Sequence, residues 1–114
     1  MATITPAFTQ HGDAATAGLW EACATGDTIV SASLQDVNAL VASVHMTGTW
    51  GGATVSLEIS NDNSDWVIAK DVGGSAITLN ADGLVEFSTA ALYMRVAISG
   101  GSSDDVDVTV ACRK

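Results

Sequence analysis

The stretch Gly48–Trp66, GTWGGATVSLEISNDNSDW, decides the fold class of this 114-residue chain. From Ala53 to Ser60 the residues alternate strictly between apolar and polar. A period of two is typical of a β-strand with one face buried and the other in water. Glycines precede this strand and the polar run Asn61–Asp65 follows it, so turns are predicted at both of its ends.

Similar alternation recurs from Asp27 to Cys112. It predicts further strands at Asp27–Leu34, Val37–Thr47, Trp66–Val72, Ser75–Asn80, Leu84–Ser88, Ala91–Ile98 and Asp104–Cys112. Short polar or glycine-rich turns separate these strands, and no segment has the length and period of an ordinary helix. The chain is therefore predicted to be all-β, an antiparallel β-sandwich of about eight strands. Both jelly-roll and immunoglobulin-like connectivities fit this strand count.

Three details of the strand arrangement are predicted more specifically. Gly73-Gly74 favours a two-residue hairpin, which would place Ile68 opposite Leu79 and Lys70 opposite Ile77. The glycine–serine run at 99–103 is expected to form a second hairpin loop. The last strand is expected at a sheet edge, where outward Asp105 and Asp107 would discourage aggregation.

The N-terminal arm, residues 1–26, has no sustained period. We expect it to be extended, with a weak helical turn at most near 17–24, and to precede a sandwich domain at 27–114. Phe8 and Trp20 are large apolar residues in this arm, and they would either cap the core or anchor a partner. In the second case the arm would add a strand to a neighbouring sheet, and a chain lacking residues 2–22 would still fold.

Composition excludes several classes of function. Thirteen acidic residues oppose four basic ones, for a formal net charge of −9. Nucleic acid and anionic membranes are therefore not expected partners, because both require a basic surface. The acidic residues fall mostly at predicted turns, which indicates solvated loops. Met1–Asp13 lacks the basic start and apolar run of a signal peptide, so we expect synthesis in a cytoplasm.

No catalytic, cofactor-binding or metal-binding residue is predicted, and the chain is not expected to be an enzyme. Asn61, Asn63 and Asp65 have the spacing of a calcium loop, but Trp66 and Val72 stand where glycine and glutamate are needed. Cys23 and Cys112 are expected to be buried thiols, although a disulfide between them remains open.

Three aromatic residues are candidates for an interface: His45, Trp50 and Tyr93. His45 and Tyr93 fall on the outward side of their predicted strands. Trp50 and Trp66 flank the central strand, and core or interface burial is favoured for both. A pair of exposed tryptophans could instead stack on sugar rings, so a glycan-binding module is kept as an alternative function.

The run GTWGGATVSLEISNDNSDW, followed by WVIAKDV and later by ALYMRVAISGG, resembles small virion proteins of tailed bacteriophages. The resemblance covers Thr47 to Gly101. It implies a β-sandwich that is a building block of the particle, such as a capsid decoration (cement) protein or a head or tail accessory protein. Such a protein would bind the major capsid protein or another virion protein, and the decoration role is the one we expect. It also implies a homo-oligomer, often a trimer, located in the virion. The glycan-binding alternative would place the module on a virion tail or appendage.

Overall fold

The computed structural model describes residues 2–12, 15–34 and 41–113, and all regular structure in these ranges is β. The strands are β1 (Thr3–Ile4), β2 (Ala7–His11), β3 (Ala15–Cys23), β4 (Thr28–Ile29), β5 (Ala32–Ser33), β6 (Val41–Thr49), β7 (Thr54–Ser60), β8 (Val67–Ile68), β9 (Thr78–Leu79), β10 (Gly83–Phe87), β11 (Tyr93–Ser99) and β12 (Asp105–Arg113). The predicted Gln35-Asp36 turn and the start of the predicted Val37–Thr47 strand lie outside the described residues.

The strands form two sheets that pack into a sandwich, which confirms the predicted fold class. Sheet I has the order β10-β6-β12-β3-β2, and sheet II has the order β5-β11-β7-β8, with β9 also paired to β7. Every pairing within these sheets is antiparallel. A short parallel ribbon of β1 and β4 lies beside them, with Ile4 and Ile29 packed against the core.

The core lies between the sheets and is formed by alternate residues of the long strands. On β7 the alternation is as predicted, with Val55 and Leu57 fully buried and Ile59 partly buried against the core. The other large and fully enclosed side chains are Trp20, Val44, Met46, Ile77, Phe87, Met94, Val96, Val106, Val108 and Val110. Each long strand therefore supplies one apolar face, which is the physical origin of the period of two.

The N-terminal arm is not separate from the sandwich, and that prediction is wrong for residues 7–23. β3 pairs with β12 and β2 pairs with β3, so this segment completes sheet I. Trp20 is fully buried, and its indole Nε1 donates a hydrogen bond of 2.9 Å to the carbonyl oxygen of Val30. Trp20 is therefore a core residue and not an exposed anchor. The weak helical turn near 17–24 is also replaced by strand.

Two predictions for the C-terminal part are wrong for one reason, because β11 and β12 belong to different sheets. The run at 99–103 crosses from sheet II to sheet I and is not a hairpin loop. β12 lies in the centre of sheet I, paired on both sides, so Asp105 and Asp107 do not protect an edge. Asp107 instead accepts a 2.7 Å hydrogen bond from the backbone N–H of Ala22.

The predicted register at Gly73-Gly74 is wrong by one residue, since Lys70 bridges to Ala76. As a result Ala69 and Ile77 are buried, whereas Ile68 is 42% exposed. β8 and β9 both pair with β7, so they act as one edge strand interrupted by the loop 70–76. Of the two glycines only Gly74 has a positive φ, at 88°.

Gly48 provides a test of how closely β6 and β12 approach. It has a φ of +145°, and a β-carbon there would overlap the backbone oxygen of Asp105. We expect Gly48→Ala to lower the free energy of unfolding by about 3 kcal/mol, because backbone must move to relieve the overlap. Gly74→Ala is the matched control, since Gly74 also has positive φ but open space around it. It should cost only about 1 kcal/mol. Urea denaturation measures both, and equal losses would contradict the close approach.

The role of the N-terminal segment can be tested by deletion of residues 2–22. This change removes β2, most of β3 and Trp20 from sheet I and the core. Replacing a buried tryptophan with alanine alone costs about 3–5 kcal/mol, a large part of the stability of a small domain. We therefore expect the truncated chain to show no cooperative thermal unfolding by circular dichroism. A sharp transition with a β-type spectrum would show instead that residues 27–114 form an independent domain.

Candidate interaction surface

The outer face of sheet I is a broad surface of small, mostly uncharged side chains. The strand registers align its outward residues in rows across the five strands. At one end these rows also carry the outward Thr47, Asp105 and Asp107. We define the flat face as the rest of the outward surface, formed by these residues: Ala7, Thr9, His11, Ala15, Ala17, Leu19, Val41, Ser43, His45, Leu84, Glu86, Thr109, Ala111 and Arg113. Alanine, serine and threonine make up half of it, so the surface carries few long side chains that would have to be ordered on contact.

One end of the flat face has a shallow depression of about 280 Å³, lined by residues of β6, β10 and β12. Val41 and Leu84 are apolar and each 57% exposed at this depression. Glu86 and Arg113 also line it and supply one charge of each sign. The combination of exposed apolar groups with a few opposite charges is typical of protein–protein contact surfaces.

The outer face of sheet II is chemically different, because its polar groups already bind one another. Arg95 Nε lies 2.7 Å from Glu58 Oε1, and the guanidinium carbon lies 4.3 Å from the centroid of the Trp66 ring. Trp66 is therefore half-buried on this outer face and not in the core between the sheets.

The predicted interface residues do not come together in one site. His45 is exposed on the flat face, between Leu84 and Thr109 in its row. Tyr93 is half-buried on sheet II opposite Ser60. Trp50 is half-buried at one end of the sandwich and packs against the core.

Phe8 is 43% exposed at the edge strand β2, with its ring over Gly18.

Sequence reasoning missed the flat face, because its signal is the absence of charge and not a motif.

Aspartates in the loops at the ends of the sandwich accept hydrogen bonds from neighbouring backbone and side-chain groups. Asp104 accepts hydrogen bonds from both the hydroxyl and the backbone N–H of Thr25, at 2.7 and 3.0 Å. These contacts, the hydroxyl first, hold the pKa of Asp104 below its ordinary value. Asp62 accepts from the backbone N–H groups of Asp65 and Ser64, which lowers the pKa of Asp62. The carboxylates at these turns thus serve as backbone acceptors.

Potential metal ligands and thiols are not clustered in the part of the chain that the structure describes. The described residues contain no group of three or more histidine, cysteine, aspartate or glutamate side chains that could hold a metal ion. Cys23 and Cys112 are free and buried. Burial, and then the nearby acidic residues, raises the pKa of the Cys23 thiol to about 12, so this thiol is a poor nucleophile. Among the same residues, none belongs to a helix of membrane-spanning length and apolarity.

Asp82 links the turn before β10 to the end of β6, and its pKa predicts a pH dependence of stability. Its Oδ1 accepts from Trp50 Nε1 at 2.7 Å and from the backbone N–H of Gly48 at 3.0 Å. The bond from Trp50, followed by that from Gly48, lowers the pKa of Asp82 in the folded chain. Because the pKa is lower in the folded chain, the ionised carboxylate stabilises the fold at pH values above the unfolded pKa of about 3.9. This stabilisation is lost as the pH falls below that value.

We therefore expect the melting temperature to fall as the pH drops below about 4, and to fall less steeply in Asp82→Asn. Asparagine keeps an acceptor oxygen for Trp50 and Gly48 but does not titrate in this range. The control is Asp71→Asn, at a loop carboxylate elsewhere in the chain. An Asp82→Asn variant with the same slope as the parent chain would contradict this role.

Neither protein-family models nor curated proteins match this sequence. Among solved structures, the fold is similar to that of the SPBc2 prophage-derived protein YomS, with a TM-score of 0.64 and 8% identity over 93% of this chain and 100% of that chain. A second likeness, to protein NMB1881 from Neisseria meningitidis, has a TM-score of 0.40 and 7% identity over 94% of this chain and 82% of that chain. At these identities the first likeness concerns the fold alone.

Proposed function

We propose that this chain is a non-enzymatic structural protein of a bacteriophage particle, and specifically a capsid decoration protein that binds the outer surface of the head. In this proposal the flat face of sheet I contacts the major capsid protein or another virion protein. The protein is made in the host cytoplasm, works as a homo-oligomer and ends in the virion.

The observation that carries the proposal is the likeness in fold to YomS, a prophage-derived protein, over 93% of this chain. It agrees with the sequence resemblance to small virion proteins across Thr47–Gly101. The two arguments are independent, because one uses strand topology and the other uses a run of residues.

The surface of the protein supports a role in contact and not in chemistry. The flat face presents many small side chains across all five strands of sheet I, with exposed Val41 and Leu84 at one end. Such a face can be covered by a neighbouring protein with few charges to bury, because its charged residues are Glu86 and Arg113, one of each sign. Its rigidity comes from β12, which pairs on both sides along nearly its whole length.

The structure does not favour the glycan-binding alternative. A sugar platform needs aromatic rings with free faces in one groove. Arg95 stacks on the Trp66 ring, and the Trp50 indole is held by Asp82. The two tryptophans also lie toward opposite ends of β7, so they do not form a shared platform.

Particles of the phage or prophage that encodes the chain provide the test. We expect the protein to migrate with intact heads on a density gradient, and gold-labelled antibodies to mark the outer surface of the head. Protein that stays at the top of the gradient would contradict a virion role. Label confined to tails would retain the virion role and contradict decoration of the head.

The contact face can be tested on the same particles. Ala17→Glu places a carboxylate in the middle of the flat face, and Ala97→Glu places one at a similarly half-buried position on sheet II. Burying an unpaired charge at an interface is costly, so we expect occupancy from Ala17→Glu to fall by roughly tenfold or more. Ala97→Glu should bind normally. Equal loss in both variants would contradict the assignment of the flat face.

A further inference from the structure

The exposed edges of the two sheets differ in how they are protected against pairing with another strand. Among the described residues, β5 is only two residues long, and the β8–β9 edge is interrupted by the loop 70–76. On β10, Glu86 carries a charge, and its carbonyl oxygen accepts a 3.1 Å hydrogen bond from the N–H of Val72. Short strands, interruptions, charges and covering loops are the devices that proteins use to block edge pairing.

β2 has none of these devices within the described residues. Its sequence, AFTQH, contains no carboxylate, lysine or arginine, and all five residues are exposed. It pairs with β3 through five consecutive residue pairs without a bulge, so the strand is regular along its length. Among residues 2–12, 15–34 and 41–113, no strand pairs with its other side, because β2 ends the order of sheet I. A regular, uncharged edge of this length is a template for strand addition.

We infer that β2 pairs with β2 of a second copy of this chain, in antiparallel orientation, and joins two copies of sheet I into one continuous sheet. An antiparallel strand pair has two-fold symmetry, so one edge can serve both partners. The inference concerns contact between copies and does not depend on the assignment to a phage head.

A second copy suits this edge better than a strand from another protein. The chain carries a formal charge of −9, yet an identical edge brings no like charges opposite each other along the paired strands. The two-fold axis is perpendicular to the sheet, so the flat faces of both copies point to the same side. Pairing therefore doubles the area of the candidate contact surface, because the joined surface consists of two copies of the same flat face.

The register follows from symmetry. Opposed residues on paired antiparallel strands point to the same side of the sheet. The two-fold axis must therefore pass at the level of one residue, which is then opposed to its own copy, and not midway between two consecutive residues of a strand. Centring it on Thr9 gives the longest overlap, with Thr9 opposite its own copy, Phe8 opposite Gln10 and Ala7 opposite His11. The exposed flank of the Phe8 ring is then covered by the neighbouring Gln10.

Introducing a charge at Thr9 tests this register, with purified protein measured by analytical ultracentrifugation across a concentration series. The parent chain should associate reversibly to twice its 11.6 kDa mass. Thr9→Lys and Thr9→Glu should each weaken dimerisation by about fivefold or more, because like charges then lie directly opposite. An equimolar mixture of the two variants should restore the dimer. The matched control is Thr54→Lys, at an exposed threonine on sheet II, which should leave dimerisation unchanged.

A cysteine variant gives a second measurement that introduces no charge. Directly opposed residues have β-carbons about 4.5–5.5 Å apart, close enough for a mild oxidant to link Thr9→Cys into a disulfide-bonded dimer. Thr54→Cys should remain monomeric on a non-reducing gel. A parent chain that stays monomeric, a trimer unaffected by charge at Thr9, or no restoration on mixing would each overturn the inference. Failure of particle binding would leave this result unchanged, so the two proposals are tested separately.

Discussion

The pairing of β12 with both β3 and β6 is the constraint on which the rest of the structure depends. The C-terminal strand lies in the middle of sheet I, so the sheet is complete only when both ends of the chain are in place. Its alternate residues Val106, Val108 and Val110 also form one wall of the core. Because the partners are distant in sequence, loop-closure entropy must be overcome before these contacts form, and folding of such topologies is comparatively slow.

The predictable part of the fold is the part where neighbouring residues differ strongly in burial. β7 and β12 alternate between aliphatic residues and serine, threonine or acids, and both were predicted with nearly correct bounds. β3 was not predicted, because neighbouring residues in its sequence, ATAGLWEAC, differ little in size or polarity. Its register with β12 also shifts between Val106 and Val108, so its side chains do not keep one parity to the end.

The errors in pairing have a different cause, since alternation shows which face is buried but not which strand is the neighbour. The chain does turn back at Gly73-Gly74, with Lys70 bridged to Ala76, but β8 and β9 each find their partner in β7. The run 99–103 looked like a hairpin loop but changes sheets. For the candidate site, the exposure of His45 followed from parity, while the role of Trp20 depended on a strand that had not been recognised.

The placement of charge explains how an acidic chain can still offer contact surfaces. Aspartates 62, 82 and 104 lie in loops, where backbone N–H groups, hydroxyls and an indole satisfy them. The flat face carries one charge of each sign, Glu86 and Arg113, and β2 carries no acidic residue, so repulsion from the net charge acts mainly at the ends of the sandwich. Association through the side of sheet I is then less opposed than association end to end, because Coulomb repulsion between exposed charges decays over about 8–10 Å in salt. If copies of the chain associate as inferred above, this distribution of charge favours joining through the side of sheet I.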